Sequence, residues 1–147
     1  METLQVYTPP DYDVFNISNG TTLVGTSLVP LTYEGTPSST IGSTPVGLVV
    51  PEDLILRVSK LLIQNVTSSP ITVQLIAQLV SSTGSVLATV AKTPPIPVNA
   101  NSVVSLDVNT WDISVRQGFN LYAQSSVANS ANVYAKCYFV KGSGSSL

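Results

Sequence analysis

The segment ITVQLIAQL, Ile71 to Leu79, puts Ile71, Val73, Leu75, Ala77 and Leu79 on every odd position, with Thr72, Gln74 and Gln78 between them. A repeat of two lines up on one side only of an extended chain, so a half-buried strand is expected here. The alternation returns after each turn signal. SSTGS supplies a turn, VLATVAK a second strand, and SVVSLDV a third with Val104, Leu106 and Val108 on one side. Trp111, Ile113 and Val115 share a parity in the short strand that follows. RQGF turns, FNLYAQSS extends and VANSAN turns again; the final strand then sets Val133, Ala135, Cys137 and Phe139 against Tyr134, Lys136 and Tyr138. From Leu54 to Asn65 the rule breaks: Leu54, Leu56 and Val58 have one parity, Leu61 and Ile63 the other, which predicts a bulge between them. With strands this short and turns at intervals of roughly 8 to 12 residues, the expected fold class is all-β. An antiparallel β-sandwich or jelly-roll-like barrel with an extended N-terminal arm satisfies it.

Proline sets the limits of these sheets. In TPPIPVNANS, Pro94, Pro95 and Pro97 fix φ and remove backbone donors, while Ile96 and Val98 still offer apolar side chains. The run reads as a rigid crossover between sheets, with NANS turning the chain into a strand that begins at Ser102 or Val103. Before Pro51, proline and glycine interrupt every few residues and stop any helix. The expected organisation is an arm over 1–50 with short strands, a sandwich core over 51–141 and a flexible tail over 142–147. The arm is too apolar to be free in solvent. It must lie on its own sandwich or on a neighbouring subunit, and the residues expected to make that contact are Leu4, Val6, Tyr7, Tyr12, Val14, Phe15 and Ile17. Ile76, Val80 and Ile55, on the outward parity of their strands, also call for an apolar cover.

The composition removes much chemistry. A chain of 147 residues suits one domain, and only 10% of it is charged, for a net charge of -2. The six basic residues are scattered along the sequence, so neither a nucleic acid nor an acidic membrane surface is expected as partner. Histidine is absent and Cys137 is the one cysteine, which leaves no zinc site, no imidazole base and no internal disulfide; Cys137 reads as a buried structural thiol. Asp11 and Asp13 in PDYD read as turn residues rather than calcium ligands, Glu52 and Asp53 as a blunted strand edge, and Asp107 with Asp112 lacks any second signal of a glycosidase pair. No catalytic, metal or cofactor site is expected, and the chain is not expected to be an enzyme. It opens without a basic and apolar leader and has no apolar run near the ~20 residues of a membrane span, so neither export nor insertion is expected. Asn16, Asn19 and Asn65 begin Asn-x-Ser/Thr triplets of the kind that Ser- and Thr-rich chains produce by chance. Trp111, Tyr122, Tyr134 and Tyr138 fit either a sugar-stacking face or ordinary packing.

LLIQNVTSSPITVQLIAQLV, PPIPVNANSVVSL and VRQGFNLYAQSSVANSANVYAKCYFV follow one another between about Leu54 and Lys141. This succession resembles small β-sandwich modules in virion proteins of tailed bacteriophages. Those run as an apolar strand ending in Asn, a Ser/Thr turn, an alternating strand, a P-I-P-x-N crossover, a glycine turn and a final aromatic strand. The resemblance implies a structural virion protein, most like a head decoration protein: made in the host cytoplasm, bound to the capsid exterior through the major capsid protein, often as a trimer, and without cofactor. A receptor-binding or carbohydrate-binding module of a tail or fibre is the alternative, and a small jelly-roll capsid protein comes third.

Overall fold

The computed structural model describes residues 14–34, 36–107 and 113–142. Every regular element among them is a strand: β1 (Phe15–Ser18), β2 (Val29–Pro30), β3 (Thr32–Tyr33), β4 (Ser39–Ile41), β5 (Thr44–Val46), β6 (Leu54–Asn65), β7 (Ile71–Val80), β8 (Val86–Ala91), β9 (Ile96–Val98), β10 (Val103–Asp107), β11 (Ser114–Val115), β12 (Phe119–Ser125) and β13 (Ala131–Lys141). They build an antiparallel β-sandwich. The first sheet runs β10-β6-β13-β1-β3, with β11 beside β10 on β6; the second runs β2-β12-β7-β8, with β9 also on β7; β4 and β5 form a separate hairpin. No helix of the described residues is long and apolar enough to cross a membrane.

The two sheets meet through the residues that the alternation marks. Leu56, Val58, Leu61, Ile63, Val133, Ala135 and Cys137 of the first sheet close on Ile71, Val73, Leu75, Ala77, Leu121 and Ala123 of the second. Each large side chain buried this way contributes about 1.5–3 kcal/mol. The expected bulge is present. Lys136 pairs with Lys60 and Cys137 with Val58, leaving Ser59 without a partner in the register, while its hydroxyl donates to the Lys136 carbonyl at 3.2 Å. One extra residue restores the inward parity of Leu61 and Ile63 after Val58.

Pro51 is not a structural boundary. β1 pairs with β13, β3 with β1 and β2 with β12, so the stretch before Pro51 supplies strands to both sheets. Leu31, between β2 and β3, is fully buried where the chain passes from the second sheet to the first, and Ile17 and Val24 are equally buried. Pieces of two to four residues carry no readable period, which is why this part looks like an arm in the sequence. The cover expected for Ile76 also comes from this stretch, while Val80 and Ile55 stay half-buried. The Tyr122 hydroxyl donates to the Pro45 carbonyl at 2.7 Å and the Gly47 amide donates to Asn120 Oδ1 at 2.9 Å, which holds the β4–β5 region over the outer face of the second sheet. Tyr122 and Ile76 are thereby 2% and 8% exposed. Gly47 lies so close to the Leu31 carbonyl that a Cβ there would overlap it.

The proline run behaves as expected of an edge and a crossover. Ile96 and Val98 are buried, Pro94, Pro95 and Pro97 are exposed, and β9 occupies the same margin of β7 as β8. A single buried amide then fastens the crossover. Asn65 Nδ2 donates to the carbonyls of Ser69, Val98 and Asn99 at 2.8, 3.2 and 3.0 Å, and its Oδ1 accepts from the Thr67 amide and hydroxyl at 2.9 and 2.8 Å. Removing that side chain leaves buried carbonyls without donors, at about 1–3 kcal/mol for each group left unpaired. Asn65→Ala is expected to lower the unfolding free energy by on the order of 3 kcal/mol in a urea titration; an unchanged midpoint would show that the amide does not clamp the crossover.

Candidate interaction face

The bulge at Ser59 has a second consequence, on the solvent side of the first sheet. It places Arg57 and Lys60, three residues apart, on the same outward face of β6. Across the ladder Lys60 lies directly opposite Lys136, Arg57 opposite Tyr138 and Leu62 opposite Tyr134. On the other side of β6, Asp107 of β10 faces Lys60, and Asn16 of β1 faces Lys136. Lys60 and Lys136 are exposed, Tyr134 is 42% exposed, and Leu62 and Tyr138 are half-buried. Three of the chain's six basic residues therefore gather with two tyrosines on one face. In the sequence they look scattered, because Lys60 and Lys136 become neighbours only through the β6–β13 register.

A pair of like charges directly opposite in a ladder, with Cβ atoms about 4.5–5.5 Å apart, destabilises the sheet. Asp107 beside Lys60 offsets part of that repulsion; the other neighbour of Lys136 is Asn16, whose side-chain amide donates to the Glu34 carboxylate at 3.2 Å. The face therefore combines Arg57, Lys60 and Lys136 with Tyr134 and Tyr138 and with the carboxylates of Asp107 and Glu34.

The residues expected to contact a partner separate into groups. Leu4, Val6, Tyr7 and Tyr12 lie outside the described residues, as do Asp11, Asp13, Val108, Trp111, Asp112 and the tail over 143–147. Val14 is 38% exposed and remains available. Phe15 is half-buried at the open end of the core, its ring 5.2 Å from Phe139 and 5.6 Å from the exposed ring of Tyr33. Ile17 does not contact a partner: it is fully buried in the sandwich's own core, because β1 is an interior strand between β13 and β3. Tyr122 likewise forms no sugar-binding surface. Burial raises its phenol above the ordinary value, with a smaller opposing effect from its hydrogen bond with Asn120.

The other sequence candidates have structural roles. Cys137 is fully buried, and desolvation pushes its thiol up to about 12, so it is inert as a nucleophile. Asn19 Nδ2 donates to the Thr22 carbonyl and to Asn132 Oδ1, and Asn65 is spent on its clamp; of the three asparagines only Asn16 is exposed, and Ile17 and Ser18 of its triplet are buried. Among the described residues there is no group of three or more carboxylates and cysteines placed to hold a metal ion. A groove of about 590 Å³ runs along β2 and the turn after β1, lined by hydroxyls such as Ser18, Thr22 and Thr32 and by Pro30, Pro37 and Pro45, with no charged or aromatic side chain.

No family model matches the chain, and no curated protein does. Among solved structures it is similar to the VP2 subviral particle of infectious bursal disease virus, at 13% identity over 88% of this chain and 33% of that one, with a TM-score of 0.41. A second structure of that virus, the T13 particle, gives 12% identity over 89% and 31% of the respective chains and a TM-score of 0.41. The CBM22-1 xylan-binding domain from Paenibacillus barcinonensis Xyn10C gives 14% identity over 78% and 71%, with a TM-score of 0.42. The chain spans about a third of the length of the viral chains. These likenesses are too distant to bear on function.

The opposed lysines make a quantitative expectation. Lys136→Gln should raise the unfolding free energy by a few tenths to about 1 kcal/mol at low ionic strength, and the gain should shrink as salt screens the pair. Urea titrations at two salt concentrations measure it; a loss of stability, or a gain insensitive to salt, would contradict the reading.

Proposed function

We propose that this protein is a non-enzymatic structural component of a virion, a decoration protein that binds the outside of an assembled capsid lattice and reinforces it. The observation that carries the reading is the outward face of the first sheet, where Lys60 and Lys136 stand opposed beside Tyr134 and Tyr138. Proteins tolerate a destabilising pair of this kind where binding requires it. An acidic patch on the major capsid protein would relieve the repulsion, while the tyrosines supply contact area at low entropic cost. The sequence pattern from Leu54 to Lys141 supports the same conclusion through its resemblance to phage virion modules. On this reading the protein is a homotrimer, and the residues before β1, with Leu4, Val6, Tyr7 and Tyr12, bridge to neighbouring subunits.

A carbohydrate-binding role in a tail or fibre is the second reading. Tyr134 and Tyr138 share one flat face about 13 Å apart along the strand, an arrangement on which sugar rings can stack. Glycan binding by the purified protein that disappears in Tyr134→Ala, with no affinity for heads, would favour it.

The decisive experiment adds purified protein to undecorated capsids and measures occupancy by sedimentation. Lys60→Glu with Lys136→Glu should abolish binding while circular dichroism stays that of the parent, because both side chains are exposed. Removal of 1–13, which leaves every described strand intact, should weaken binding at least tenfold. Saturation of capsids by the doubly charge-reversed chain would overturn the proposal.

A further inference from the structure

Among the described residues β8 forms one margin of the second sheet, paired with β7 alone. Its six residues, Val86 to Ala91, include no charge and no proline; Leu87 is a bulge, skipped between the Leu79–Ala88 and Val80–Val86 pairs, and Val86, Leu87 and Val90 are 46%, 62% and 43% exposed. An uncharged edge strand carrying bare apolar side chains templates the addition of another strand unless something occupies it. Among the described residues the other margins are shorter or carry a proline or a charge, although Val103 of β10 is itself 55% exposed. β2 is two residues long and ends at buried Leu31, β3 is two residues long, β9 contains Pro97, and β10 bears Asp107.

We infer that the edge of β8 receives residues 2–8 of a neighbouring copy as an added antiparallel strand. This rests on the assembly reading above and names the surface that its arm would occupy. The segment Glu2-Thr-Leu-Gln-Val-Tyr-Thr8 sets Leu4 and Val6 on one parity with Gln5 between them, carries no proline, and is stopped by Pro9 and Pro10. Laid antiparallel with Leu4 opposite Val90, it brings Gln5 opposite Thr89 and Val6 opposite Ala88, the regular part of β8, and Tyr7 to the bulge at Leu87. Val90 and Ala88 stand in register with Ala77 and Leu79, on the core-facing side of β7, so Leu4 and Val6 extend the apolar layer by one strand. In the same register Glu2 meets Lys92, the one charge next to the strand, and the two prolines fall just beyond Val86, where pairing ends. A parallel arrangement loses the Glu2–Lys92 match. Such a contact is heterologous, edge to arm, and on the trimeric reading proposed above three copies close it into a ring.

The test uses the full-length chain. Analytical sedimentation should give a trimer for the parent and a monomer for both Leu87→Lys and Leu4→Lys, each with unaltered circular dichroism. A mixture of chains carrying Leu4→Cys with chains carrying Val90→Cys should form an intermolecular disulfide under mild oxidation, while Cys137, fully buried, contributes no background. A trimer that persists in Leu87→Lys overturns the inference. Dissociation by Leu87→Lys but not by Leu4→Lys also overturns it, pointing to pairing of β8 with itself, and a disulfide that forms only within a chain carrying both cysteines places the arm on its own edge. Cross-linked trimers with no affinity for capsids would refute the decoration reading and leave this one standing; capsid binding by a chain that fails to cross-link would do the reverse.

Discussion

Ser59, unpaired between Val58 and Lys60, is the residue on which the first sheet turns. β6 is twelve residues long and crosses the whole sandwich, and a strand with strict alternation over that length could bury Leu56 and Val58 or Leu61 and Ile63, but not both pairs. One surplus residue resolves the conflict. The same displacement carries Arg57 and Lys60 to the opposite side and sets Lys60 against Lys136. Core formation and the basic character of the outer face therefore follow from one local irregularity. This agrees with the general tendency of bulges to sit where a sheet must re-aim its side chains.

The second sheet solves a different problem. Its outer face carries Ile76 and Tyr122, which could not be left in water without cost, and the β4–β5 region closes over them through backbone-directed hydrogen bonds from Tyr122 and to Asn120. With that cover supplied from within the chain, the large apolar side chains still exposed among the described residues include Val86, Leu87 and Val90 on β8, Val103 on β10, and Tyr33 beside Phe15. Those are the places where association with another molecule can gain the most from burial.

Much of this is legible in the residues, and the misses have physical causes. Long strands such as β7 and β13 declare themselves by alternation, and the parity break in β6 announces its bulge. The proline run marks an edge because imino nitrogen cannot donate to a ladder. Ile17 and Leu31 cannot be assigned to the core from sequence, since β1 to β3 are too short to show a period and owe their position to partners such as β13 and β12, about a hundred residues later in the chain. Tyr122 looks available for a ligand because nothing local signals that the Pro45 carbonyl will lie over it. The basic face is hidden for the same reason: its members sit on two strands whose register only the folded sheet determines.

Deletion of Ser59 tests this dependence most directly. Without it the order Leu56, Arg57, Val58, Lys60, Leu61, Leu62, Ile63 alternates perfectly, so the shortened chain should fold cooperatively with an unfolding free energy within about 2 kcal/mol of the parent. Deletion of Leu62, by contrast, would send Ile63 and Asn65 to the solvent side and should abolish the cooperative transition. If urea titration finds the two deletions equally damaging, Ser59 is not the surplus residue, and neither the packing of the first sheet nor the grouping of its basic side chains originates in the bulge.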